Sequence, residues 1–142
     1  MKKNIFIILT IFLIILMTIC YFLYDNQRKI VEATKVNKDY NTYYEQTILG
    51  TDLISIINKT IDINERNKVE KNEKNVYIEN DTNSIKIYIK FLESDETFLM
   101  EAINNKGFEA FVKNFAASSF KCTSIEYHEK TNFVKSLVFE QV

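Results

Sequence analysis

The stretch Ile5 to Tyr24, IFIILTIFLIILMTICYFLY, runs for twenty residues without a charge, a Gly or a Pro. As a helix rising about 1.5 Å per residue it spans about 30 Å, the thickness of a bilayer's hydrocarbon core. Fourteen of the twenty are Ile, Leu or Phe. At roughly −0.3 to −0.6 kcal/mol each, these contribute about −4 to −8 kcal/mol to insertion, with no charge opposing them. The segment is expected to be a transmembrane anchor that meets lipid through Ile5, Phe6, Ile8, Leu9, Phe12, Leu13, Ile15, Leu16, Ile19, Phe22 and Leu23.

Lys2 and Lys3 form a short positive n-region, so a signal peptide is the alternative. Signal h-regions run about 7 to 15 residues and end at small residues. This run is longer, and no Ala or Gly lies between Met1 and Ala33. The best cleavage candidate, Thr18-Ile19-Cys20, would put bulky Tyr21 and Phe22 after the cut. A lipoprotein reading of Cys20 would need a small residue where Ile19 stands. An uncleaved anchor is expected. For orientation, Arg28, Lys29, Lys35 and Lys38 beyond the segment favour a cytoplasmic C-terminal part under the positive-inside rule. A very short N-terminal tail ahead of the first apolar run instead resembles a signal-anchor. That favours N-in, C-out, with the C-terminal domain extracytoplasmic.

The chain has 142 residues, of which about 118 follow the apolar run, enough for one small domain and a helical connector. Residues 1–24 are assigned to the anchor, 25–49 to the connector and 50–142 to the domain. Without Lys2 and Lys3, 16 basic residues face 19 acidic ones, so no basic footprint points to nucleic acid. Abundant Ile, Lys and Asn with no Pro suggest an AT-rich bacterial genome. Cys20 lies in the apolar run and Cys122 in a predicted strand, too far apart in environment to pair. Cys122 reads as a small buried hydrophobe.

From Asp25 to Leu49 no helix breaker occurs, and Ala33, Val36, Tyr40, Tyr43, Tyr44, Thr47 and Ile48 recur at three- and four-residue steps. The anchor helix is expected to continue to Leu49, with Gly50 as its cap or hinge at positive φ. A second helix follows, capped by Thr51 or Asp52, with Leu53, Ile54, Ile57 and Ile61 as its stripe and fading after Asp62. Asn67 to Asn75 reads as a loop. Val76 to Glu79 and Ser84 to Leu92 are expected to form a hairpin across Asn80-Asp81-Thr82-Asn83, the second strand alternating Ile85, Ile87, Ile89 and Phe91. Beyond the turn at Glu93 to Glu96, Thr97 to Ile103 fits strand better than helix. Gly107 to Ala117 is helical through Phe108, Phe111, Val112 and Phe115; Phe120 to His128 and Phe133 to Glu140 are strands. The class is α+β: a transmembrane helix extended by a long amphipathic helix, then a small antiparallel sheet of about four or five strands with two short helices.

No catalytic set emerges. The sole histidine is His128, and strand alternation would keep His128 and Glu129 from joining Glu126 around one metal, so a solvent-facing strand-end His is expected. Glu79 to Ser84 lacks the order of a calcium loop, and two glycines allow no phosphate loop. No cofactor and no enzyme activity are expected. Tyr40, Tyr43 and Tyr44 are offered as a partner-facing patch, with packing on the chain's own sheet as the alternative. The apolar run has no G-x-x-x-G, so tight pairing through the anchor is not indicated.

An apolar N-terminal helix, an amphipathic extension and a C-terminal sheet together resemble type IV pilins, pseudopilins and Tad-type minor pilins. The family's Gly or Ala processing site and fifth-position Glu are replaced here by Lys3-Asn4-Ile5-Phe6 and an acid-free run from Met1 to Tyr24, so no functional residue carries over. Tyr44 to Ile61 is similar to a segment of small bitopic bacterial membrane proteins. The anchor, the long helix, the small sheet domain and the missing catalytic set point to a non-enzymatic, membrane-anchored structural or interaction protein, with membrane lipid and other proteins as partners; the resemblance suggests an accessory subunit of a pilus-like or secretion assembly. The alternative is an extracytoplasmic ligand-binding or sensing module.

Overall fold

A computed structural model describes residues 2–94 and 96–142; Asp95, within the expected turn at Glu93 to Glu96, and the side chains of Lys2 and Lys3 fall outside the described residues. The architecture is α+β, as the residue pattern predicts. Two compact units divide the chain, Met1–Lys35 and Val36–Val142.

The first unit is helical. Helix α1 covers Lys2–Asn41 and contains the apolar run, whose most apolar window has a mean hydropathy of 2.9 and no buried residue. By length and composition this helix can cross a membrane, a test that an N-terminal signal sequence also passes. The threonines of the run bond back into the helix: Thr10 Oγ1 donates to the Phe6 carbonyl and Thr18 Oγ1 to that of Ile14. Such back-bonding to the preceding turn satisfies a hydroxyl donor that hydrocarbon cannot.

The second unit is built on a five-stranded sheet. The strands are β1 (Thr47–Leu49), β2 (Lys86–Lys90), β3 (Thr97–Leu99), β4 (Ser119–Tyr127) and β5 (Val134–Gln141), in the spatial order β1-β4-β5-β2-β3. Three helices accompany them: α2 (Gly50–Arg66), α3 (Met100–Lys106) and α4 (Phe108–Phe115). The expected alternation holds in β2, where Ile87 and Ile89 lie opposite Leu137 and Phe139 of β5, and all four are buried. Cys122, opposite Phe139, is buried too.

Several expectations are corrected. The helix does not reach Leu49. It ends at Asn41, and β-branched Thr47 and Ile48 pair antiparallel with Lys121 and Phe120 on the open edge of β4. Glu45, at φ 60°, turns the chain, and its N–H donates to the Cys122 carbonyl. The compact domain therefore includes the last turns of α1 and β1, upstream of the boundary expected at Gly50.

Gly50 is neither a cap nor a hinge between two helices, and its φ is not positive. It opens α2 immediately after β1, where Asp52 Oδ2 accepts the Leu49 N–H at 3.4 Å. A Cβ at Gly50 would come within 1.9 Å of the Phe115 carbonyl oxygen, so close approach of α2 to the end of α4 requires glycine.

Val76 to Glu79 is not a hairpin strand. Tyr77 is buried and makes only an isolated bridge to Lys71, while Ile78 N–H donates to the Glu70 carbonyl. The turn after it is real: Asn80 Oδ1 accepts the N–H groups of Thr82, Asn83 and Ser84. Thr97 to Ile103 divides, strand for three residues and helix from Met100. The sheet is mixed rather than antiparallel, because β2 and β5 run parallel. Short turns dictate pairing only within the β2–β3 and β4–β5 hairpins; the contact between the hairpins is set by packing.

Two buried polar anchors hold the start of β2, where it lies beyond the reach of β3. Asn64 on α2 accepts the Ile85 N–H through Oδ1 and donates through Nδ2 to the Ile85 carbonyl, both at 2.8 Å. Lys86 Nζ donates to Glu101 Oε1 at 3.0 Å and to the Tyr77 carbonyl, and the Tyr77 N–H also donates to Glu101 Oε1. The Lys86 and Glu101 side chains are only 6% and 1% exposed, so each depends on the other for its charge compensation.

Two stability changes follow, both measurable by urea unfolding of the full chain. Gly50→Ala is expected to cost about 1–3 kcal/mol, because a backbone oxygen cannot move aside as a side-chain tip can. Lys86→Met, which strands a buried carboxylate, is expected to cost about 3–5 kcal/mol, and adding Glu101→Leu should recover a large part of that loss.

Candidate functional site

The domain's aromatic residues concentrate between Phe91 and Phe120, a span that holds six of the chain's eleven phenylalanines. Alternation along β2 carries Phe91 to the face already occupied by Ile87 and Ile89. Its ring lies 4.7 Å from that of Phe115, 5.3 Å from Phe98 and 6.0 Å from Phe120, centroid to centroid. Phe111 completes the cluster, 5.4 Å from Phe115 and 6.0 Å from Phe120. Such tilted and edge-on contacts add to the stabilisation from burial alone.

Above this cluster α3 and α4 diverge at Gly107, whose φ of 84° permits the sharp change of direction. Between the two helices and the β2–β3 hairpin lies a groove of about 390 Å³, lined by Phe91, Phe98, Ala102, Ile103, Ala110, Phe111 and Phe115. Phe120 and Phe111 are buried, whereas Phe91, Phe98 and Phe115 are half-buried and present ring surface to the groove. The close approach at Gly50 and the N–H of Thr51 donating to the Ala116 carbonyl hold the C-terminal end of α4 against α2. Polar groups line only part of it: Glu93, Ser94, Lys106 and Asn114. This is the composition of a binding cleft, apolar with a few polar groups. It has no histidine or cysteine, so Ser94 has no imidazole base beside it.

A second hollow, of about 570 Å³, is polar and lies around His128. His128 is not solvent-facing as expected but only 3% exposed. Its Nε2 lies 2.8 Å from the Ser84 carbonyl, which can only accept, so Nε2 carries the proton. The imidazole ties the end of β4 to the start of β2 and is occupied structurally. Around it, Lys130 pairs with Asp81 at 2.6 Å and Lys135 with Glu79 at 2.9 Å. The Lys130 ammonium holds the Asp81 carboxyl below its ordinary range. Glu126 accepts a hydrogen bond from Ser136. Among the described residues, no three His, Cys, Asp or Glu side chains converge as a metal site.

The three tyrosines do not form one patch. Tyr40 is fully buried, with its hydroxyl 2.6 Å from Thr60 Oγ1, and burial raises its pKa. Thr60 donates onward to the Ile56 carbonyl, so Tyr40 locks the end of α1 onto α2. Tyr43 is half-buried edge-on against Tyr40, and Tyr44 alone is exposed, at 51%. The groove was accessible to sequence reasoning only through the density of Phe; the helical stripe through Phe108, Phe111 and Phe115 reads equally well as core.

Cys122 is buried as expected, with Sγ 3.7 Å from the Ser124 carbonyl, and burial pushes its thiol up to about 11. The folded state thus keeps a proton that the unfolded thiol loses from about pH 9, and stability should fall between about pH 9 and 11. Iodoacetamide should leave Cys122 of the folded chain unmodified at pH 8 and alkylate it in urea, as read by peptide mass spectrometry.

No protein-family model, no curated protein and no solved structure matches this chain.

Proposed function

We propose that this chain is a non-enzymatic, single-pass membrane-anchored binding module, with an uncleaved N-terminal anchor and its domain outside the cytoplasm. The observation that carries the reading is the phenylalanine-lined groove, a mostly apolar cleft between two helices and the β2–β3 hairpin. Its size falls within the range of about 300–1,000 Å³ usual for ligand sites. The exposed apolar run of α1 supports the anchor, since so large an apolar surface is incompatible with water.

A second reading, a structural or accessory subunit of a pilus-like or secretion assembly, draws on apolar side chains outside the groove. Leu92 is 70% exposed, and Val112 and Val142 are exposed as well. Protein interfaces use such residues.

A photo-crosslinking amino acid in place of Phe98, in the full chain in native membranes, separates the two. Ultraviolet-dependent adducts of small mass are expected, absent when the same residue replaces exposed Lys74. Adducts of protein mass would favour the accessory-subunit reading. Intact mass of the same preparation should retain the residues before Ile5, and protease added to spheroplasts should digest the domain. A mature N-terminus at or after Cys20, or a protected domain, would overturn the anchor or the orientation respectively.

A further inference from the structure

Resting on the reading of the groove as a binding site, we propose that its ligand is an uncharged aliphatic or acyl group rather than a charged amphiphile. The chemistry of the lining separates cleanly. Its apolar part is entirely phenyl, isoleucyl and alanyl surface, which rewards burial of hydrocarbon and offers a buried head group no hydrogen bond. The polar part has four side chains. Two are uncharged and each makes one bond within the chain: Ser94 Oγ accepts the Glu96 N–H at 3.1 Å, and Asn114 Nδ2 donates to the Ala110 carbonyl at 2.9 Å, leaving the Ser94 hydroxyl proton and Asn114 Oδ1 for a neutral hydroxyl.

The other two, Lys106 and Glu93, carry opposite charges, and neither is ion-paired among the described residues. A carboxylate would gain from Lys106 and lose to Glu93; an ammonium would do the reverse. Both would also surrender hydration on entering an apolar cleft. A neutral chain escapes both penalties. The other cleft, around His128, has paired charges and no comparable apolar floor, so it does not compete for the same ligand.

The test uses the full chain in phosphatidylcholine vesicles with a diazirine-bearing decanol as photoprobe, labelled peptides being located by mass spectrometry. Labelling is expected within residues 98–115, in addition to any in residues 5–24 from probe dissolved in the bilayer. Decan-1-ol should compete at vesicle-phase concentrations about two- to fivefold below those needed for decanoate or decyltrimethylammonium, the range of one exposed charge interaction. Ala110→Trp, on the exposed side of α4, should abolish labelling at 98–115 and leave that at 5–24; Ala102→Phe is the second blocking variant. Stronger competition by either charged chain would overturn the neutral class while leaving the groove a binding site. Labelling confined to residues 5–24 would overturn both.

Discussion

The domain depends on the buried ion pair between Lys86 and Glu101. Strand β2 starts where no strand pairs with its outer edge, because β3 reaches only as far back as Tyr88. At that edge Lys86 and Glu101 bring together three separate pieces of chain: the start of β2, the first turn of α3 and the irregular segment around Tyr77. Burying two charges is costly, and the attraction between them offsets that cost only in good geometry with further hydrogen bonds. Here the Tyr77 backbone supplies both a donor to the carboxylate and an acceptor for the ammonium. An apolar pair could fill the same space, but it could not align three segments by direction. Asn64 performs a parallel task from α2, replacing a missing strand neighbour with its side-chain amide.

This explains what could and could not be read from the residues alone. The apolar run, the alternation of Ile85, Ile87 and Ile89, and the helical period of Leu53 and Ile57 are local patterns, and each yields its element. What escaped was decided by partners far along the chain. Thr47 to Leu49 continues a helical period, but the open edge of β4 offers backbone hydrogen bonds that the helix end could not match. Val76 to Glu79 resembles a strand, yet Tyr77 is claimed by Glu101 and Lys86. The parallel contact of β2 with β5 leaves no sequence mark, since no turn joins them. His128 gave no sign that its imidazole would close onto the Ser84 carbonyl.

The groove illustrates the same limit from the other side. Its phenylalanines were legible as apolar positions on a strand and a helix, and core was the natural reading. Phe91, Phe98 and Phe115 remain half-buried where α3 ends and α4 begins, at Gly107. At Gly50, α2 approaches the end of α4 more closely than any side chain would allow. The two glycines thus set how α4 meets its neighbours, one by conformation and the other by lack of a side chain.

The strand order carries a consequence for biogenesis. β5 is the last strand in chain order and occupies the middle of the sheet, between β4 and β2. β2 and β4 are therefore both made before the strand that joins them. Before residues 134–141 emerge, the two halves of the sheet have no common neighbour, and the edges of β2 and β4 that face β5 lack hydrogen-bond partners. The sheet can therefore be completed only after β5 has been synthesised. Until then the unpaired edges of an unfinished sheet require protection from other chains.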